Sequence, residues 1–281
     1  APLFKLADYR INRDKQLTPQ VYLAERRASY LASKLAELSD KRSQVPTFND
    51  DLDSEKLAKE LRTYLKTDLR KNENSGKILN YYKRLLEDTL LVSVIEYPFK
   101  AEDVRAFCIP SEISIIVLNE SDEAKIKLFS LFHEMCHLLK RNSGICSMEL
   151  EAKRENMKIE SYCNLFSAEF LVPQLDLKVE IENLNKLDWD GISALSDVYG
   201  VSKQVLMLRL LELGYIKQED YDSLKANWNA EHLKKKGFGK RNWERAFLNR
   251  VGNLAVQRVG DAYHKGDISY SEVIDILNVK T

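Results

Sequence analysis

His133-Glu134-Met135-Cys136-His137 decides the reading of this chain, and it uses two of only four histidines in 281 residues. On a helix, an H-E-x-x-H spacing puts both imidazoles on one face, four residues apart, where they can grip a single zinc ion. Glu134, about 100° round the helix, then reaches a water that such an ion activates. That is the geometry of a hydrolase. The competing reading is a pair of core histidines bonded to backbone. The flanks have to choose between them.

Upstream, residues 113–118 (Ile-Ser-Ile-Ile-Val-Leu) form a nearly continuous apolar run that predicts a short strand, and 119–122 supply a turn and a helix cap. A helix over 122–140 then carries the histidines. Its apolar positions, from Ala124 to Leu139, wrap most of its circumference, so the helix is expected to be buried. A hydrolytic zinc takes three protein ligands and keeps a fourth position for water, which calls for one more ligand. The next predicted helix, 148–171, offers Glu149, Glu151, Glu155, Glu160 and Glu169. Helical phase separates them. Glu160 shares its stripe with Cys163, Asn164, Ser167 and Leu171, small or uncharged residues suited to lie against another helix near a metal. Glu169 falls on the stripe of Lys158 and Tyr162, while the first three sit in a charged run expected to be a solvated helix start. Glu160 is therefore the expected third ligand. Asn164, one turn on, is placed to accept the second ring N–H of a ligating histidine.

The stretch 128–139, Leu-Phe-Ser-Leu-Phe-His-Glu-Met-Cys-His-Leu-Leu, followed by 159–173, Ile-Glu-Ser-Tyr-Cys-Asn-Leu-Phe-Ser-Ala-Glu-Phe-Leu-Val-Pro, resembles the ImmA/IrrE family of metallopeptidases. In that family an F-T-L-x-H-E-x-x-H helix is followed by an E-x-x-A-N-x-F-A-x-x-L-L-x-P helix whose first Glu completes the zinc site, the place that Glu160 takes here. The resemblance covers about residues 55–175 well and the rest weakly. This chain departs in having Ser130 for Thr, Cys163 for Ala and Ser167 for Ala. None of these removes a ligand, but Cys163 brings a thiol near the expected metal.

Lys plus Arg equal Asp plus Glu at 43 each, so no overall charge steers the chain toward nucleic acid or a membrane. Apolar residues at 44% suffice for real cores. No run reaches the 18 or more apolar residues of a membrane span. Cys108, Cys136, Cys146 and Cys163 have no C-x-x-C spacing and follow no secretory leader, which points to a reducing, cytoplasmic setting. The chain opens at Ala1 rather than Met, as expected of a trimmed or processed product. The resemblance implies that members often carry a helix-turn-helix ahead of the peptidase.

Apolar spacing predicts a long amphipathic helix over 18–43 with Pro19 in its first turn, a linker over 43–54, and helices over 54–69 and 78–86. Strands are expected at 90–97 and 104–109, joining 113–118 in a small sheet. The fold class is therefore α+β and mostly helical: a zincin-like metallopeptidase core with a small β-sheet, flanked by helical segments. Three divisions are expected: an N-terminal long helix (1–45), the metallopeptidase domain (46–180) and a helical C-terminal domain (181–281) for substrate docking or regulation. Within the last, 191–214 has a helix-turn-helix outline turning at Gly200. A DNA-reading helix needs several exposed polar side chains. This one offers Lys203, Gln204 and Arg209 among apolar residues, with Glu212 repelling phosphate, which favours a structural or partner-docking unit. Lys234, Lys235, Lys236, Lys240, Arg241, Arg245 and Arg250, interleaved with Phe238, Trp243 and Phe247, form the strongest basic cluster; it reads as a solvated face or as a surface for an acidic partner. His232 and His264 have no ligand spacing.

The expected activity is that of a zinc metalloendopeptidase. His133, His137 and Glu160 hold the metal, and Glu134 acts as general base and then proton donor to the leaving amine. An oxyanion donor, a Tyr or an Arg, is expected without the sequence choosing it. The resemblance implies a protein substrate, typically a helix-turn-helix transcriptional repressor whose cleavage relieves repression of stress or mobile-element genes. Two rivals are a regulator that keeps the zinc and cuts nothing, which the intact Glu134 disfavours, and a DNA-binding regulator, which the poor reading helix disfavours. Cys163 is also a candidate for occupying the open metal position until displaced, with Cys136 more suited to packing.

Overall fold

The structure is a computed structural model that describes residues 18–99, 104–140, 152–184, 186–224 and 243–279. Its elements run α1 (Pro19–Glu37), α2 (Ser54–Tyr64), α3 (Ser75–Leu90), β1 (Ser93–Tyr97), β2 (Ala106–Ile109), β3 (Ile115–Asn119), α4 (Ala124–Leu139), α5 (Ala152–Leu171), α6 (Gln174–Glu182), α7 (Trp189–Tyr199) and α8 (Lys203–Glu212). Residues 218–224 are helical (α9), and α10 (Trp243–Val251), α11 (Asn253–Lys265) and α12 (Tyr270–Leu277) complete the described elements. The class is α+β and mostly helical, with one three-stranded sheet among the described residues.

The sheet order is β1-β3-β2, with β3 parallel to β1 and antiparallel to β2. A strand buried on both faces has no reason to alternate apolar with polar residues, and β3, Ile-Ile-Val-Leu-Asn, does not. Ile116 and Leu118 enter a core shared with α2 to α5, α7 and α8, while Ile115 and Val117 face a second core built with α1 and α10 to α12. The sheet is thus a partition with helices on either side. Ile192, Leu195 and Tyr199 of α7 and Leu206, Met207 and Leu210 of α8 lie in the same core as the helices that carry the metal motif. Gly200 turns between them at φ +66, a backbone conformation that favours glycine.

Element ends depart from the sequence expectation for local reasons. α1 stops at Glu37 rather than 43, because no apolar residue follows Leu38 until Val45 and there is no face left to bury. α2 stops at Tyr64, just before Lys66 at positive φ. α3 begins at Ser75, where the Asn74 side chain accepts the Gly76 N–H at 2.9 Å, and it runs on to Leu90, which leaves the expected strand. Asp122 is not the cap of α4. It is buried and pairs with Arg105 at 2.6 Å, and Glu123 holds the cap position instead.

A cluster of charged side chains is buried where the sheet meets α3 and α4. Glu96 of β1 sits between Lys83 of α3 at 3.1 Å and Lys127 of α4 at 2.7 Å, and Lys83 also donates to Asn249 of α10 at 3.1 Å. All three charged side chains are largely buried. Burial alone would raise the Glu96 pKa, but the two lysines outweigh it and hold the carboxyl below its usual range. The group fixes the start of α4 against the sheet.

Candidate metal centre

α4 has almost no solvated face: Leu128, Leu131, Phe132 and Met135 enter the core, and His133, Glu134 and His137 are buried with them. A helix so surrounded has its rotation fixed by packing. Phe132 stacks on Phe170 of α5 with centroids 3.8 Å apart, and Tyr82 of α3 meets both rings edge-on at 4.9 and 5.6 Å. This cluster begins at the residue before His133 and sets the phase between the two motif helices.

On the facing side of α5, Glu160, Cys163 and Asn164 point at the histidines. The two Nε2 atoms lie 3.0 Å apart, and Glu160 places Oε2 3.1 Å from the Nε2 of His133 and Oε1 3.3 Å from that of His137. Tetrahedral coordination with bonds of about 2.0–2.1 Å puts neighbouring donors about 3.3–3.4 Å apart, so these spacings are close to the edges of a zinc polyhedron. His133 Nδ1 lies 3.1 Å from Asn164 Oδ1. An amide oxygen can only accept, so His133 carries its proton on Nδ1 and turns the Nε2 lone pair toward the common point.

Burial works to lower the His137 pKa, but hydrogen bonds with Cys163 and Glu160 and the charge of Glu134 push it up to about 11. Cys163 is wholly buried, and its thiol lies within 4.8 Å of ligand atoms of both histidines. Burial first, and then contact with Cys136, push that thiol well up. His137 Nδ1 is buried with no hydrogen-bond partner among the described residues, in contrast to its counterpart on His133.

The residues singled out in sequence thus meet: His133, Glu134, His137, Glu160 and Asn164 share one buried corner between α4 and α5. Glu169 does not join them. Its side chain binds Arg209 of α8 and lies 3.7 Å from Arg62 of α2, and burial raises its pKa against the pull of Arg209. Arg209 is accordingly not an exposed reading residue. It is fully buried, and it also pairs with Glu212 at 2.8 Å, so neither residue is free to attract or repel a phosphate. The signal was present in the sequence: a lone arginine among Leu-Met-Leu-Arg-Leu-Leu and a lone glutamate within Ser-Ala-Glu-Phe-Leu mark paired, buried charges. Tyr162, the tyrosine nearest the site in sequence, gives its hydroxyl to the Leu52 carbonyl at 2.7 Å. Glu149, Glu151, Cys146, His232 and the basic cluster from Lys234 to Arg241 lie outside the described residues, as does the side chain of Glu155. Of the remaining cluster, Trp243 is exposed and Arg250 pairs with Glu120 at 3.0 Å. No described helix is long and apolar enough to cross a membrane.

A sequence comparison with curated proteins finds no match to this chain. Residues 87–211, which contain the sheet, both motif helices and most of the α7–α8 pair, match the family model of the IrrE N-terminal-like domain, peptidase M78.

Proposed function

We propose that this protein is a zinc-dependent endopeptidase whose substrate is another protein, a helix-turn-helix transcriptional repressor, and that cleavage relieves repression of stress or mobile-element genes. The observation that carries the reading is the convergence of His133, His137 and Glu160 at tetrahedral spacing, with Glu134 on the same buried helix. His133, His137 and Glu160 are the residues that hold the metal. When bound, zinc supplies Lewis acidity toward the peptide carbonyl and lowers the pKa of a water.

The chain's own residues do the rest. Asn164 holds His133 in the tautomer that ligation needs. Glu134 takes the proton of the attacking water and returns it to the departing amine, so one carboxylate serves both halves of the reaction. Its burial keeps bulk water from competing for that proton. The strand β2 forms an edge of the sheet and packs beside α4. An extended substrate segment can add to that edge by backbone hydrogen bonds, leaving selection to contacts elsewhere. The buried Arg209 disfavours the rival reading in which α8 reads DNA, because a base-reading side chain has to be exposed.

The test is metal content of the purified protein followed by co-expression with helix-turn-helix repressors, with fragments identified by mass spectrometry. Stoichiometric zinc and one specific cut are expected. Glu134→Gln should keep zinc and fold and lose at least about 100-fold in cleavage rate, the low end of a general base's contribution. Cleavage by that variant at the wild-type rate would move the chemistry to another residue.

A further inference from the structure

In this family's motif a small apolar residue stands where Cys163 stands here, and its surroundings give the thiol a role that packing alone does not. Cys163 follows Glu160 by three residues, so it projects from the same face of α5. It is wholly buried, and its sulfur and one ring nitrogen from each of His133 and His137 lie within 4.8 Å of one another. Bonds of about 2.3 Å to sulfur and 2.0 Å to nitrogen need a sulfur–nitrogen separation near 3.6 Å, so the thiol is at most about 1.2 Å from ligating position. The carboxylate of Glu160 lies beside this cluster, with Oε2 3.1 Å from the Nε2 of His133 and Oε1 3.3 Å from that of His137.

We infer that Cys163 is a fourth protein ligand of the metal, and that the resting centre is closed by its thiolate. This rests on the metallopeptidase reading and deepens it. Binding replaces the sulfur–hydrogen bond by a sulfur–metal bond and releases one proton to solvent. Four protein ligands make the closed set of a structural site, whereas catalysis needs an open position. Substrate therefore has to displace the thiolate or expand the coordination to five, and Cys163 holds the peptidase latent until one of these happens. Cys136, in contact with Cys163, is the neighbour toward which a displaced thiol can turn.

Cobalt(II) reports the ligand set without any need for turnover. The full-length protein, stripped and loaded with one equivalent of cobalt, should show an intense near-ultraviolet sulfur-to-cobalt charge-transfer band. Cys163→Ala should lose that band while still binding one cobalt, with affinity about 10-fold lower by chelator competition. Cys163→Ser, which preserves side-chain size, should also lose the band, and Cys136→Ala should keep it. Stoichiometric cobalt without the band in the wild type overturns the inference, as does persistence of the band in Cys163→Ala. These results need only the wild type or a folded variant checked by circular dichroism. A wild-type protein that takes up no cobalt and no zinc would overturn the metal-centre reading itself, and so the two failures are distinguishable.

Discussion

Asn164→Ala is the most direct probe of how the fold prepares the metal centre. The Asn164 oxygen is 3.1 Å from His133 Nδ1, and the pair is buried, with Asn164 only 9% exposed. The hydrogen bond itself is worth about 1 kcal/mol net, and leaving a buried N–H without an acceptor costs about 1–3 kcal/mol. The imidazole can recover part of that by changing tautomer, but only by moving its proton to Nε2, where it blocks the ligand lone pair. The loss therefore appears in metal binding. At about 1.4 kcal/mol for each factor of ten, 1–3 kcal/mol corresponds to about 5- to 140-fold weaker zinc. This spans the usual cost of removing such an orienting partner. The assay is competition with a chromophoric chelator at neutral pH, beside a circular dichroism check of the fold. Asn164→Asp should retain or tighten binding, because a charged acceptor makes the stronger bond. A folded Asn164→Ala protein that binds zinc as tightly as the wild type would refute the claim that this contact sets the histidine's tautomer.

Glu160→Ala should remove stoichiometric zinc from the purified protein, and undiminished zinc in that variant would show the third ligand to be another residue. Glu96→Gln should cost about 3–5 kcal/mol in urea denaturation at pH 7, because it leaves two ammonium groups buried around an amide. The Glu96 carboxyl lies below its usual value of 4.5 in the folded state, so its stabilisation is present above that pH and is lost as pH falls through the depressed folded value. The gap between wild type and Glu96→Gln should accordingly narrow in acid, and a gap that is absent or independent of pH would contradict the account. Arg209→Met should destabilise by about 3–5 kcal/mol by stranding the buried Glu169. A change within 0.5 kcal/mol, on the order of a surface substitution, would mean that Glu169 finds another partner.

His133, Glu134, His137 and Glu160 were legible in the chain because helical spacing is a local rule: residues four apart share a face whatever surrounds them. The same rule placed Asn164 beside Glu160, and the nearly continuous apolar run over 113–118 announced a short strand, whose cover on both faces only the structure shows. Helix ends were less legible, since Asn74 capping α3 and Asp122 turning from cap to ion pair depend on which partner each polar side chain finds. The pairing of Glu169 with Arg209, forty positions apart, and the insertion of Glu96 between Lys83 and Lys127 are set by contacts that no period in the sequence encodes. Cys163 stands between the two cases. Its spacing from Glu160 put it on the right face of α5, but only the packing of Phe132 against Phe170 fixed the phase of the two helices and brought the thiol within reach of both histidines. Local periodicity determined which residues could meet; the low-dielectric, close-packed interior, where each buried charge needs a partner and each helix has one fitting rotation, decided which of them do.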